Sequence, residues 1–405
     1  MFGRFRVQIE SLSLASDVVR KLLLLVGAFV FVDSLFFAAL TPLLPDYSDD
    51  LGLSKAEAGV LAGAYAAGAF VGAVPGGLSA ARLGVKPTVL LGLAGMTATT
   101  LAFGLLSHYE LLVGARFLQG VASSFTWTAG LAWLVAAAPA SRRGELIGSA
   151  MAAAIGGALF GPVLGGIASV VGTDWAFGSV AVLGAALAVW TWVTPGVPPS
   201  PPQPLSLLGR SLADRRILGA AWFVLLPALL FGVLGVLGPL RLDELGFGAV
   251  AIGATWLTAA ALEAVLAPVL GRLSDRRGRL VPLRAGLLAS AAIAATIPWL
   301  ESPWALAIAV VLAAMAYGSF WAPGMSLLAD RAEAAGLDHA YAFALVSMAW
   351  APGAAGGAAI GAALADATSD WVPYVVLAGA CLVTFAALRG TQRGTTKSLE
   401  PSSFP

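Results

Sequence analysis

Long apolar stretches, separated by short polar turns, follow one another along almost the whole chain. A helix needs about 20 mainly apolar residues to cross the hydrocarbon core of a bilayer. The stretches that come close to that length are 22–44, 56–79, 88–107, 110–137, 145–170, 175–194, 217–240, 249–270, 281–300, 303–328, 339–364 and 371–388. The pattern therefore predicts an all-α integral membrane protein with twelve membrane-spanning helices.

One interval between the predicted spans differs from the others. Residues 195–216 begin with the proline-rich sequence PGVPPSPPQP and end with several charged residues. Proline cannot continue a helix, so we predict a cytoplasmic linker at this point. The linker would separate a six-helix bundle over 1–194 from a second over 217–388, and a cytoplasmic tail over 389–405 would follow.

The basic residues are spread unevenly over the two sides that this arrangement creates. If the N-terminus is cytoplasmic, all 23 lysines and arginines lie in loops, tails or helix ends on that side, except Lys55, Arg116 and Arg241. Lys55 and Arg241 lie on the outer side, and Arg116 lies within the fourth span. An excess of basic residues on the cytoplasmic side is the rule for membrane proteins. We therefore predict that both termini are cytoplasmic.

The two halves of the chain repeat one another at a single offset. That offset aligns Pro45 with Pro239, Gly59 with Gly253, Gly77 with Gly271, Gly84 with Gly278 and Trp127 with Trp321. The repeat predicts two pseudo-symmetric six-helix bundles around a central cavity. Parallel halves with a binding site between them, near the middle of the bilayer, are an architecture of transporters.

The composition excludes several classes of protein. Only 11% of the residues are charged, whereas a soluble domain carries about 25%, so the bilayer must act as the solvent for most of the chain. The net charge of +1 gives no basic field for nucleic acid. A single cysteine and two histidines far apart in sequence predict neither a disulfide nor a metal site. We expect no cofactor and no enzyme, because neither a nucleotide-binding loop nor a set of nucleophile or metal ligands is present.

A charged sequence follows the eighth predicted span, and part of it recurs after the second. The residues are Gly271, Asp275, Arg276, Gly278 and Arg279 in the second half, and Gly77, Arg82, Gly84 and Lys86 in the first. A carboxylate and guanidinium groups at a helix end can pair with each other and with the helix terminus. Such pairs could hold one conformation closed, although the same residues also suit an ordinary basic turn with helix caps. In the first half Ala81 stands where the acid is expected.

The fifth predicted span is rich in glycine at regular intervals. Its pattern consists of Gly148, Gly157, Gly161, Pro162, Gly165 and Gly166. Glycines form a smooth face that lets membrane helices approach closely. Pro162 removes one helical hydrogen bond and permits a kink.

These patterns resemble those of the drug:proton antiporter branch of the major facilitator superfamily, whose twelve-helix multidrug exporters are related to vesicular amine transporters. The charged loop is similar to the superfamily's signature loop, and the glycine pattern is similar to a motif of its antiporter members. The sequence Arg116-Phe-Leu-Gln119-Gly120 is similar to a fourth-span motif whose arginine is associated with proton transfer in the family. An acid in the first span, here Asp33, followed by Pro42 and Pro45, is also typical of that branch. The resemblance implies alternating access, and export rather than uptake.

Three ionisable residues lie within predicted spans, away from their ends: Asp33, Arg116 and Glu263. An ionisable group inside a membrane is a functional hypothesis by default. We expect Asp33 and Glu263 to couple proton entry to substrate exit, with Arg116 taking part in proton transfer. The alternatives are a structural pair for Asp33, a bond to the charged loop for Glu263 and an outward-reaching anchor for Arg116.

Aromatic residues are candidates for the wall of the cavity, since aromatic faces hold apolar and cationic compounds. Together with Asp33, the predicted cavity residues are Phe37, Trp127, Trp256, Tyr317 and Trp321. Aromatic residues also serve as packing or interface anchors in membrane helices, which is the alternative for each of them.

The sequence thus predicts a proton-coupled transporter that exports small lipophilic or cationic compounds. An uptake symporter or facilitator of the same fold is one alternative, and a non-transporting membrane receptor is another. The expected partners are a small-molecule substrate, protons and the lipid bilayer. We expect a monomer in a prokaryotic plasma membrane.

Overall fold

The computed structural model describes residues 2–137, 142–197, 204–277, 280–337 and 339–397. Within these ranges, side chains are described except at residues 2–18, 143–144, 205, 267–277, 280, 322, 339–340, 343 and 390–397.

The described residues form helices joined by short turns. The helices are α1 (Phe2–Leu51), α2 (Lys55–Leu83), α3 (Val85–Leu105), α4 (Tyr109–Ala137), α5 (Arg143–Val171), α6 (Thr173–Val193), α7 (Leu205–Ala213), α8 (Arg215–Glu244), α9 (Ala249–Arg277), α10 (Leu280–Thr296), α11 (Pro303–Gly318), α12 (Trp321–Ala334), α13 (His339–Ala367) and α14 (Trp371–Lys397), with a 3₁₀ turn at Ile297–Trp299. Twelve segments are long and apolar enough to span a membrane, and α11 and α12 share one of them. The prediction of an all-α protein with twelve spans is therefore confirmed.

The tenth span is broken near its middle, where the sequence predicts a continuous helix over 303–328. Helix α11 ends at Gly318 and α12 begins at Trp321. Pro323 explains the break, because proline has no N–H to donate to the carbonyl four residues earlier and its ring clashes with that carbonyl.

The interval between the sixth and seventh spans contains a short helix that the sequence analysis did not predict. Helix α7 follows Pro204, and α8 begins at Arg215, directly after Asp214, whose carboxylate caps the helix by accepting a hydrogen bond from the Arg216 backbone N–H. The segment 195–216, which we predict to be a linker, thus contains α7 and the first two residues of α8, while 198–203 lie outside the described residues. Burial of Leu208 against the second half of the chain supplies an apolar contact that favours a helix here.

Local signals account for the sharp turns between other spans. Ser54 accepts a hydrogen bond from the Glu57 backbone N–H, while the Glu57 carboxylate accepts one from the Ser54 N–H, which starts α2 with a capping box. Gly84 and Gly172 have φ angles of 94° and 98°, which favour glycine and allow α3 and α6 to begin at once.

The two halves of the chain meet along two pairs of helices. Helix α2 packs against α13, and α5 packs against α9. A Cβ atom built on Gly63 would lie 3.0 Å from the Ala355 carbonyl oxygen, and one built on Gly253 would lie 2.7 Å from that of Pro162. Glycine at these positions lets the backbones of opposite halves touch.

An ion group joins the halves at the end of the bundle where α2 begins. The Lys55 ammonium lies 2.7 Å from a carboxylate oxygen of Asp370 and 3.8 Å from one of Glu244. Arg241 lies 2.8 Å from Glu244. We call this end, with these four residues, the Lys55 end. The halves are closed against each other there.

The glycine pattern of α5 serves two different contacts. Cβ atoms on Gly157, Gly161 and Gly165 would collide with the backbone of α1, whereas one on Gly166 would face Val250 of α9 at 3.7 Å. The Pro162 carbonyl also approaches Gly253 of α9. Helix α5 is thus packed closely within its own half and also contributes to the contact between halves.

A pair of alanine variants in α5 tests this packing. A Cβ on Gly157 would lie 2.9 Å from the Ser34 Cβ and closer still to the Phe31 carbonyl, while a Cβ on Gly148 would have nothing within 4 Å. We expect Gly157→Ala to destabilise the protein by about 1–3 kcal/mol through overpacking. Gly148→Ala should leave the melting temperature in detergent unchanged or raise it, because alanine favours helix. Equal melting temperatures for the two variants would show that α1 and α5 are not in tight contact.

Candidate functional site

The carboxylate of Asp33 lies inside the first half of the chain, with 2% of the residue exposed. Its Oδ2 atom accepts hydrogen bonds from the Tyr65 hydroxyl at 2.8 Å, the Ser123 hydroxyl at 2.9 Å and the Trp127 indole N–H at 2.6 Å. The Oδ1 atom has no hydrogen-bond partner among the described residues. One oxygen is therefore fully solvated by protein donors, and the other remains able to bind a proton or a donor group.

Close contact between α2 and α4 brings the donors to Asp33. A Cβ on Gly120 would lie 2.8 Å from the Ala69 nitrogen and closer still to the Tyr65 carbonyl oxygen. Ser123 and Trp127 are four residues apart and so share one face of α4. The sequence analysis did not identify Tyr65 or Ser123, although their polar side chains within apolar spans were a signal.

Arg116 lies in the same half, on α4, and only 1% of it is exposed. Its guanidinium donates to the carbonyl oxygens of Phe36 at 3.4 Å and Phe37 at 3.2 Å, and to the Gln119 side chain at 3.1 Å. The side chain is thus sealed inside the protein, so the alternative of an anchor reaching outward is wrong.

Aromatic rings complete the surroundings of Arg116. The guanidinium carbon lies 5.3–5.9 Å from the ring centres of Phe36, Phe37, Tyr65 and Phe103, within the range of cation–π attraction. Among the described residues no ion pair joins Arg116 to Asp33, although Arg116 is near enough for its charge to act on that carboxylate.

Two of the predicted cavity residues lie beside Asp33. Trp127 donates to its carboxylate, and Phe37 follows it by one helical turn. The Phe37 ring lies 4.8 Å from that of Tyr65 and 5.8 Å from that of Trp350 on α13. Trp350, which the sequence analysis missed, therefore brings the second half of the chain to this site.

The other predicted cavity residues pack in the second half. The Trp256 ring lies near Gly238 of α8, Tyr317 is fully buried with its ring 5.5 Å from that of Phe231, and Trp321 packs against an apolar cluster that includes Leu328. The structure does not bring Trp321 and Trp127 into equivalent polar surroundings, because only Trp127 has a carboxylate partner among the described residues.

Glu263, on α9, lies beside the break in the tenth span. A Cβ on Gly318 would lie 3.0 Å from the Glu263 Cγ atom and closer still to its carboxylate. Glycine at the end of α11 is thus what leaves room for this acid. No other described residue forms an ion pair with Glu263.

The charged-loop residues are described only in part. Arg82 is exposed, and Gly84 makes the turn between α2 and α3. A Cβ on Gly77 would lie 3.9 Å from Thr128. Gly271, Asp275 and Arg276 belong to α9, but their side chains lie outside the described part, as do Gly278 and Arg279 entirely.

Replacement of Arg116 by lysine tests the role of its planar guanidinium. A single ammonium cannot reach two carbonyl groups and the Gln119 amide at once. We expect Arg116→Lys to lower stability by roughly 1.5–3 kcal/mol for each charged hydrogen bond that is not remade. The measurement is the melting temperature in detergent. The control is Arg142→Lys, which changes an exposed arginine paired with Glu145 and should melt like the wild type. A stable Arg116→Lys variant would contradict this account.

Comparisons with known proteins agree with the architecture. The sequence model of one family, described as Major Facilitator Superfamily, matches residues 26–337 and 263–403. The D-xylose-proton symporter has a similar structure, with a TM-score of 0.72 at 14% identity, over 90% of this chain and 97% of that one. At such low identity the similarity concerns the fold alone.

Two curated relatives match parts of the chain. The MFS-type transporter ppzB of Metarhizium rileyi is 32% identical over 34% of this chain and 30% of its own length. The chloramphenicol resistance protein of Streptomyces lividans is 30% identical over 62% of this chain and 65% of its own length. In neither case does the match reach two thirds of the relative.

Proposed function

The chain belongs to the Major Facilitator Superfamily, a family of membrane transporters and not of enzymes, and we propose that it exports small lipophilic or cationic compounds in exchange for protons. The observation that carries this proposal is the buried Asp33 carboxylate, with one oxygen held by three donors and the other without a hydrogen-bond partner among the residues that the structure describes. An acid enclosed in a membrane bundle can bind a proton and a cationic group in alternation.

Export is favoured by two observations over uptake by the same fold. The glycine pattern of α5 resembles that of antiporters, and a relative that matches well over half of this chain is named as a chloramphenicol resistance protein. The similarity to a sugar symporter at 14% identity gives no comparable support for uptake.

Alternating access in this proposal is a rocking of the bundle over 1–194 against the bundle over 217–388. The closed Lys55 end would be the extracellular one, with both termini in the cytoplasm and the protein acting as a monomer in the plasma membrane. Opening to the outside would then separate α2 from α13 and α5 from α9, and it would break the ion group around Lys55.

Proton release on ligand binding tests the coupling. A cationic ligand that takes the place of a proton on an acid must release that proton. With purified protein in detergent and a pH dye, we expect release on addition of lipophilic cations, and loss of that release in Asp33→Asn or Glu263→Gln. Glu145→Gln, at an exposed acid, is the matched control. Binding without release in the wild type and all variants would favour a facilitator.

Loss of the inter-half ion pair tests the direction of closure. In a Cys381→Ser background, Phe37→Cys places a label site between the halves, since Phe37 contacts Trp350. We expect Lys55→Gln to increase labelling by a membrane-impermeant maleimide from outside, and the exchange of Lys55→Asp with Asp370→Lys to restore the wild-type rate. Arg142→Gln, which breaks an ion pair within one half, should have no effect. Unchanged labelling in Lys55→Gln would show that the ion pair does not hold this end closed.

A further inference from the structure

The three donors to Asp33 differ in how far they are enclosed. Tyr65 and Ser123 are each 3% exposed, whereas Trp127 is only half-buried. Since Asp33 itself is almost completely covered, Trp127 is the donor among the three that is most accessible from outside the packed bundle.

The bonds of the other two donors do not depend on Trp127. The Tyr65 and Ser123 hydroxyls both donate to Asp33, and their oxygen atoms lie 2.7 Å apart. The close contact of α2 with α4 holds both of them in place. If the indole moved away, the carboxylate would keep two donors and would be uncovered on one side.

Phe37, one helical turn after Asp33, is a second half-buried ring near this site. It packs against Tyr65 on one side and approaches Trp350 of the other half on the other. Of these two half-buried rings, only the Trp127 indole bonds to the acid among the residues described here.

From this geometry, and building on the export function proposed above, we propose that Trp127 is a displaceable lid that selects substrates at Asp33. In the empty protein the indole N–H bonds Oδ2, while Oδ1 has no hydrogen-bond partner among the described residues but is itself buried, so that a ligand reaches the carboxylate only when a covering side chain moves. A lipophilic cation with its own N–H or O–H donor replaces the indole on Asp33, because an indole nitrogen can only donate and so competes for the same acceptor. A cation without a donor cannot replace that hydrogen bond, and the indole stays in place.

A displaceable lid and an ordinary aromatic wall predict different effects of a Trp127 substitution on ligand binding. Removing the N–H while keeping an aromatic ring removes the competitor, so a donor-bearing ligand should bind more tightly to Trp127→Phe than to the wild type. If Trp127 were instead a stacking surface for the ligand, the same change would leave binding unchanged or weaken it.

The test compares two lipophilic cations, ethidium, which carries N–H donors, and tetraphenylphosphonium, which has none. Dissociation constants are measured with purified protein in detergent at one alkaline pH for all variants. We expect Trp127→Phe to tighten ethidium binding by about threefold to tenfold, the effect of one competing hydrogen bond, and to change tetraphenylphosphonium binding by less than about twofold. Trp222→Phe, which removes an indole N–H that donates to the Thr384 hydroxyl in the second half of the chain, is the matched control and should change neither.

The outcomes separate the lid from the proposed export function. Ethidium binding that is unchanged or weaker in Trp127→Phe, but lost in Asp33→Asn, would overturn the lid and leave the export function standing. Failure of the wild type to bind either cation would overturn both. Trp127→Leu also lacks the N–H, and it carries the same expectation if the phenylalanine variant does not fold.

Discussion

The solvation of a carboxylate inside an apolar bundle is the constraint on which this site depends. A buried charge is costly unless protein groups replace the water that it loses. Asp33 meets that demand through donors from α2 and α4, and the donors reach it because Gly120 lets the backbones of those helices touch. The glycines of the first half thus bring hydrogen-bond donors to Asp33 as well as allowing the helices to pack closely. A side chain at such a contact would move donors away from an acid that has no water to replace them.

The same small-residue packing sets where the two halves can separate. Helix α5 contacts α1 through one row of glycines and α9 through Gly166 and the Pro162 carbonyl. Backbone-to-backbone contacts of this kind carry few side-chain interlocks, so the pair can part without repacking a core. The specific attraction at the Lys55 end is an ion group, which water can replace once the halves open. Close but smooth contact and a replaceable ion group together suit a protein that must alternate between closed and open forms.

Much of this fold could be predicted from the sequence, because span length and the positions of basic residues are local properties. The average hydropathy did not predict the break in the tenth span, which depends on one residue, Pro323. It did not predict helix α7 either, which depends on the burial of Leu208. The site was less predictable. In a soluble helix an apolar stripe marks the buried face, but lipid is as apolar as a protein core. Nothing in the pattern therefore shows that Tyr317 is buried in the second half while the Trp350 ring contacts Phe37 of the first half.

Asp33 and Arg116 are opposite charges in one sealed region, and yet each is stabilised separately. The carboxylate is held by hydroxyl and indole donors, whereas the guanidinium is held by carbonyl oxygens, an amide and aromatic rings. A direct ion pair would have to be broken whenever a proton or a cation bound to Asp33, and breaking a buried pair is expensive. Separate solvation avoids that cost, because the charge on Asp33 can change while the bonds of Arg116 stay intact. In the exchange proposed above, the arginine would thus keep its bonds and its charge unchanged while the occupant of the acid changes.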